Sequence, residues 1–210
     1  MRPRYHCDAV SSPPRQSRSI ESTRRMLVAA EELLRHGGAD ALTVEAVIER
    51  AGTSTGSFYA RFGNRRGLCV AMHERFLETL DAALRQATKD ALVQPTLRDS
   101  LCLFFGAIFA EVRRYRDTLH FHMIQNAHDV DMRAKGNEVS RGAFALIVKI
   151  VETHTPGASK VDLDKLDLVG RSLFGMILEI VLFDPDEVNG RDLSDEQRAE
   201  RFADMVLAYL

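Results

Sequence analysis

Between Thr43 and Phe62 the chain reads TVEAVIERAGTSTGSFYARF, and this stretch leaves few folds open. Val44, Val47, Ile48 and Ala51 recur at spacings of three and four, which lines one face of a short helix. Thr43 stands where a hydroxyl can cap the first turn, and Gly52 where a left-handed residue ends the last one. The residues that follow predict a second short helix that offers Ser54, Thr55, Ser57 and Tyr59 outward and keeps Phe58 as its inward anchor. A helix this short and polar is unstable alone. Held by neighbours, it is the second element of a helix-turn-helix, the one that enters a major groove.

The flanks fit that arrangement. A helix is expected from Ile20 to His36, with Leu27, Ala30 and Leu34 on its inner stripe and Gly37 and Gly38 at its end. Another is expected from Asn64, its cap, to about Leu92, with Pro95 beyond it. Arg65 and Arg66 fall in its first turn, where cations oppose the helix dipole unless an anion compensates. A nucleic-acid phosphate is the natural anion at such a terminus. Charge is distributed accordingly. Residues 1–66 hold 11 basic and 7 acidic residues, and the remainder 17 and 23, so a basic head precedes an acidic body.

Three blocks carry a family resemblance: TRRMLVAAEELL from Thr23 to Leu34; Gly38, Thr43, Val44, Val47, Ala51, Gly52 and Ser54; and FYARFGNRRGL from Phe58 to Leu68. Together they resemble the DNA-binding domain of TetR-type transcriptional regulators. The departures are Ala39 for an aromatic residue, Leu42 for Thr, Ile48 for Ala, Thr53 for Val and Arg65 for Lys, with Ile48 bulky where the two short helices approach. The resemblance, joined to the exposed-polar reading above, implies a DNA-binding set of Thr43, Ser54, Thr55, Gly56, Ser57, Tyr59, Arg61, Arg65 and Arg66. Within it Arg65 takes the family's phosphate-binding Lys position and Tyr59 a position that usually hydrogen-bonds phosphate. Thr55, Ser57 and Arg61 are the candidates for base edges.

The rest of the chain shows helical periodicity throughout and no alternating strand pattern, so the expected fold is all-α, and the resemblance implies a three-helix helix-turn-helix head with a larger helical ligand-binding and dimerisation body. Residues 1–18, rich in Pro, Ser and Arg, are expected as a disordered basic arm, 19–66 as the DNA-binding domain, and 67–210 as the effector-binding and dimerisation domain. In the body, a helix from about Leu97 presents Leu101, Phe104, Phe105, Ile108, Phe109 and Val112 on a wide apolar face. Further helices are expected over 118–135, 138–153 and 162–183. A last one begins at Ser194, where Ser194 and Gln197 form a capping box. Leu166–Phe183 is apolar almost all round, and Phe202, Val206 and Tyr209 form a stripe on the final helix. Leu173, Ile177, Phe202, Val206 and Tyr209 are therefore the expected dimer interface, a four-helix seam between two copies that the resemblance also implies, the alternative being a central helix buried within one subunit.

Large apolar side chains on several body helices, Phe104, Phe105, Phe109, Phe121, Met123, Phe144, Phe174 and Met176, fit either a packed core or a ligand cavity, and the resemblance implies the cavity. Arg113, His122, Gln125, Asn126 and Glu179 are polar groups on the same helices that can orient a ligand. His120, His122, His128, Asp129 and Asp131 crowd together, but His120 and His122 point about 200° apart on a helix and cannot chelate one ion, so no metal is expected. Asp184, Asp186, Asn189 and Gly190 echo a calcium loop without its spacing. No phosphate loop or nucleophile elbow is present, and neither catalysis nor a cofactor is expected. Cys7, Cys69 and Cys102 show no Cys-x-x-Cys pairing, and no apolar run approaches the roughly 20 residues that span a bilayer, so a cytoplasmic, membrane-free protein with reduced thiols is expected. The reading these features favour is a homodimeric repressor released from its operator by a small-molecule effector. A metabolite-binding or metabolite-processing body tethered to DNA, and a DNA-binding regulator without an effector, are the alternatives.

Overall fold

The computed structural model describes residues 15–125, 127–155, 162–184, 187–188 and 190–210, and in these the only regular structure is helical. The expectations on Cys7, Asn126, Asp186, Asn189 and most of the N-terminal arm lie outside them, as does the Gln125 side chain. The chain divides between Leu68 and Cys69 into two compact units, a head and a body.

The head opens with α1 (Arg15–Ala41), so residues 15–18, expected in the disordered arm, are helical. The helix also runs through Gly37. Only Gly38, at φ 64° and ψ −161°, breaks it, a conformation that costs a residue with a Cβ far more than glycine. Then α2 (Val44–Ala51) starts at Thr43, whose hydroxyl accepts from Ala46 N–H, and ends at Gly52 in the left-handed region. Next α3 (Thr55–Phe62) is capped by Ser54, which accepts from Ser57 N–H. All three helices pack on one another. Met26, Ala30, Leu34, Leu42, Val47, Ala51 and Phe58 are buried, the last at 0% exposure. Ion pairing of Arg50 with Glu32 at 2.7 Å ties α2 to α1.

From the head, α4 (Arg65–Ala91) continues into the body, its first turn capped by the Asn64 side chain accepting from Gly67 N–H. The body then adds α5 (Leu97–Arg114), α6 (Arg116–Gln125), α7 (Val130–His154), α8 (Leu163–Leu182) and α9 (Asp195–Tyr209). On α5 every one of the six expected inward residues is buried, and α6, α7, α8 and α9 all pack against it. Phe105 meets Phe202 of α9 edge-to-face at 4.6 Å. Each such fully buried aromatic or aliphatic side chain contributes about 1.5–3 kcal/mol by leaving water. Arginines fasten the outer ends: Arg113 Nε donates to both Asp195 oxygens at 2.8 and 3.0 Å, and Arg116 donates to the carbonyls of Ile180 and Phe183, satisfying the last turn of α8. The capping box of Ser194 and Gln197 is formed as expected.

In the body, two helices are divided differently from the sequence reading. The expected helix over 118–135 is cut near residue 126, and its second half joins the next expected helix to make α7. Asp129 decides this, because its carboxylate caps the new helix by accepting from Met132 N–H. Gly136 does not end a helix. It lies inside α7, where glycine costs only about 1 kcal/mol relative to alanine and the packed helix carries that. Cys69 is buried and Cys102 half-buried, with no disulfide between them. No helix among the described residues is long and apolar enough to cross a membrane.

Candidate functional site

On the head, α3 buries Phe58 and half-buries Phe62, and turns nearly everything else outward. Phe58 stacks against Tyr59 and Phe62 at centroid distances of 5.5 and 5.2 Å, so one aromatic anchor fixes the helix's rotation. With that rotation set, Thr55, Gly56, Ser57, Tyr59 and Arg61 are exposed together, Tyr59 at 49%. Ser54 is exposed as well, but its hydroxyl is committed to Ser57, bonding both its N–H and its Oγ, the latter at 2.9 Å. Thr43 is exposed at the start of α2. All nine residues of the expected DNA-binding set therefore lie on the surface of the head.

Arg65 does more than the sequence reading gave it. Its Nε donates to Leu42 O at 2.9 Å and its Nη2 to Ala39 O at 3.4 Å, so its guanidinium binds two carbonyls of the segment that follows the break in α1. A planar guanidinium has five N–H donors, so a guanidinium holding this turn can still present donors outward. Arg65 thus joins the start of α4 to the turn between α1 and α2, and Arg66 is exposed beside it.

In the body a cavity of about 500 Å³ opens between five helices. His73, Phe76, Leu77, Leu80 and Leu84 come from α4, Ile108 and Val112 from α5, and Leu119, His122 and Met123 from α6. From α7 come Met132, Gly136, Val139, Phe144 and Ile147, and from α8 Leu173, Phe174, Ile177 and Leu178. The size is that of a site for a drug-sized ligand, and the wall is predominantly apolar with few polar groups, as such sites require.

Of the eight side chains expected to line a cavity, Met123, Phe144 and Phe174 do. Phe104, Phe105 and Phe109 do not: at 0% exposure they fill the packed core around α5. Phe121 is buried away from the cavity, and Met176 packs against the core. Of the expected orienting groups whose side chains are described, His122 reaches the wall, while Arg113 is bound to Asp195 and Glu179 to Arg198. His73, Arg133, Asn137 and Ser140 are the polar lining groups that sequence reasoning missed. The ring of His73 meets that of His122 at 5.1 Å, edge to face. Burial pushes His122 down to about 3, with His73 adding to the effect, and burial followed by Lys135 lowers His73. Both rings are therefore neutral near pH 7.

The expected dimer residues also need correction. Phe202 and Val206 are 2% and 0% exposed and belong to the chain's own core, where Phe202 packs on Phe105, so they offer nothing to a second copy. Leu173 is buried and Ile177 half-buried, and both line the cavity. Tyr209 remains exposed at 42%, with Met205 at 51% on the same helix and Leu168 at 49% on α8. Among the described residues no group of three His, Cys, Asp or Glu side chains is placed to hold a metal ion.

Comparison with known proteins agrees with this geometry. Residues 26–72 match the family model of bacterial regulatory proteins, tetR family. No curated protein matches the sequence. Among solved structures, the TetR-family transcriptional regulator PfmR from Thermus thermophilus superposes with a TM-score of 0.65 at 21% identity, over 88% of this chain and 97% of that one. A tetR-family regulatory protein from Rhodococcus RHA1 gives 0.66 at 15% identity, over 90% and 96%. The transcriptional regulator FadR from Bacillus subtilis, solved in complex with stearoyl-CoA, gives 0.62 at 16% identity, over 89% and 98%.

Proposed function

We propose that the chain, whose residues 26–72 match the family model of bacterial regulatory proteins of the tetR family, acts in the cytoplasm, without enzymatic activity, as a homodimeric repressor released from DNA by a small-molecule effector. The observation that carries this reading is the outer face of α3, where one buried aromatic ring aims a continuous set of small polar groups away from the head. Thr55, Ser57 and Arg61 approach base edges there, while Tyr59, Arg65 and Arg66 meet phosphates. Two heads address successive major grooves when their reading helices are about 34–36 Å apart.

Dimerisation uses α8 and α9 through the faces that remain exposed rather than through Phe202 and Val206. Leu168 and Gly175 of α8, with Met205 and Tyr209 of α9, supply that surface. The effector occupies the body cavity, and the FadR structure with stearoyl-CoA supports a ligand-binding body of this fold. One element connects cavity and DNA: α4 lines the cavity with His73, Phe76 and Leu77, and its first turn holds Arg65 against the turn between α1 and α2. A ligand that moves α4 alters the head separation, and reciprocity requires that DNA then weaken ligand binding by the same factor.

Selection of duplexes from a random pool with the purified chain tests this. The selected sites should be two-fold symmetric, and Thr55→Ala should lower the preference for them over random DNA without changing the salt dependence. Arg65→Ala should weaken both classes alike and flatten the slope of log affinity on log salt by about two units for a dimer. Its melting temperature is measured alongside, because Arg65 also holds the head's turn. Failure to enrich any sequence would remove the proposal.

A further inference from the structure

The wall that α7 gives to the body cavity identifies the kind of molecule that fits it, on the reading of the body as an effector-binding unit. The helix lines the cavity with two columns of residues that climb it at steps of three and four. The inner column, Met132, Gly136, Val139, Ala143 and Ile147, is buried or half-buried and carries no polar side chain. The outer column holds Arg133, Asn137 and Ser140, all exposed, before the half-buried Phe144. A residue that lines a cavity and is also exposed stands at its mouth. Along α7 the mouth is therefore polar and the floor behind it apolar. Nothing stands within 4 Å of the place a Cβ would take at Gly136, so the inner column is open between the turns that carry Arg133 and Ser140.

Charge sets the sign of the ligand. Among the described residues that line the cavity, Arg133 alone carries a permanent charge, and none is Asp or Glu. The Arg133 side chain makes no hydrogen bond or ion pair with the described residues. Lys135, two residues on, is held by Glu74, and the Asp129 carboxylate caps α7 through the Met132 N–H. Burial keeps His73 and His122 neutral near pH 7, so neither changes this balance. Ser140 gives its hydroxyl proton to the Gly136 carbonyl at 3.1 Å and keeps lone pairs, whereas Asn137, one turn beyond Arg133, has two N–H donors. We propose that the cavity takes an amphipathic carboxylate, its apolar body inside and its carboxylate at the α7 mouth against Arg133, with Asn137 as the second donor. A planar carboxylate accepts two parallel bonds from one guanidinium. At the mouth it also stays in contact with water, so it escapes the cost of burying a charge. A neutral amide or alcohol finds Asn137 and Ser140 but gains nothing from the guanidinium's charge. A cation meets a like charge and no acid.

Three probes that share an apolar body and differ in the polar end separate these cases: 4-(biphenyl-4-yl)butanoate, its primary amide and 4-(biphenyl-4-yl)butylamine, titrated into the full chain by calorimetry at pH 7.5. The carboxylate should bind about fivefold more tightly than the amide, the modest factor that a charge-assisted contact in reach of water supplies, and the amine should bind most weakly. High salt should narrow the gap between carboxylate and amide and leave the amide's affinity as it was. Arg133→Gln should bring the carboxylate down to the amide's affinity without moving the amide, and Arg133→Glu should put the amine ahead of the carboxylate. Both variants change an exposed side chain, and their melting temperatures are measured alongside. NMR of the arginine Nε–H groups in the wild-type chain is a readout that needs no variant to fold: the carboxylate should shift the Arg133 signal and the amide should not. Equal affinities for carboxylate and amide, tightest binding by the amine, no binding by any probe, or loss of carboxylate and amide alike in Arg133→Gln would each overturn the assignment. DNA affinity is measured in parallel. If the carboxylate docks on Arg133 with the expected preference yet leaves DNA binding unchanged, the docking stands and the effector reading falls. If the amide or the amine releases DNA while the carboxylate gains nothing from Arg133, the docking falls and the effector reading stands.

Discussion

Phe58 in the head and Phe174 in the body are both aromatic residues on helices, yet one is at 0% exposure and the other at 50%. The head's reading helix has eight residues and one fully buried side chain, so its orientation follows from a single anchor between caps at Ser54 and Gly63. The body's α8 has apolar residues on most of its circumference. Some of them, like Val169, meet the core, others, like Ile177, a cavity, and others, like Leu168, the surface. The contrast shows what determines legibility. Where a helix has one apolar stripe, burial follows from spacing; where it has several, only its neighbours decide which stripe does what.

The largest effects should expose that contrast directly. Phe58→Ala and Phe105→Ala each remove a ring packed on all sides, and each should cost about 3–5 kcal/mol in urea unfolding followed by circular dichroism. Phe174→Ala removes a ring that already borders a cavity and solvent, and should cost less than about 1 kcal/mol. A loss at Phe174 as large as that at Phe105 would mean that a second copy or a ligand packs on it, and the comparison would fail at that point.

Acid should separate the two regions next. The polar side chains proposed to meet DNA face water, whereas the body buries His122. Its pKa in the folded chain is about 3, below the ordinary value of 6.5, because burial and then His73 penalise its charged form. Below pH 6.5 the unfolded chain takes up a proton that the folded chain refuses, so stability is present above 6.5 and is lost as pH falls toward 3. At pH 5 the loss is about 2 kcal/mol from this residue. Unfolding measured at pH 7 and pH 5 should show wild type losing about that much more than His122→Phe, and equal losses would place His122 in a wetter setting than the cavity wall.

These differences explain which residues can be read in advance. Thr43, Gly52, Ser194 and Gln197 are legible because a cap depends on residues three or four positions away, and all of them act as caps in the structure. The break before Asp129 is not, because apolar spacing continues across it and Gly136 offers a more obvious place to stop. Phe202 and Val206 read as a seam between copies, since a stripe on a helix looks the same whether α5 or another molecule covers it. Phenylalanines draw the eye as cavity walls, but a void is defined by what neighbours leave unfilled, and here leucines, isoleucines and two histidines surround it together with Phe76, Phe144 and Phe174. For Arg65 the resemblance names an anion, and nothing local discloses the carbonyls of Ala39 and Leu42, which are 26 and 23 residues away.

The smallest expected effects come from two glycines and carry opposite signs. Gly52 of the head sits at φ 58° and ψ 48°, and a Cβ there would come no closer than 3.8 Å to Arg25. Space is therefore available, and the cost of Gly52→Ala is the left-handed backbone itself, about 1 kcal/mol. Gly136 of the body lies within α7, and nothing stands within 4 Å of the place a methyl would take, so neither backbone nor packing opposes a side chain. There Gly136→Ala should raise stability by about 0.5–1 kcal/mol through helix propensity alone. Because Gly136 also lines the cavity, the added methyl should weaken binding of a ligand that fills it, while leaving DNA affinity in the absence of ligand unchanged. Thermal unfolding of the two variants decides between the readings of this segment. If Gly136 ended a helix, as its position in the sequence suggests, alanine would destabilise the chain just as it does at Gly52; a gain in stability instead fits a glycine inside a continuous α7 that starts at Asp129.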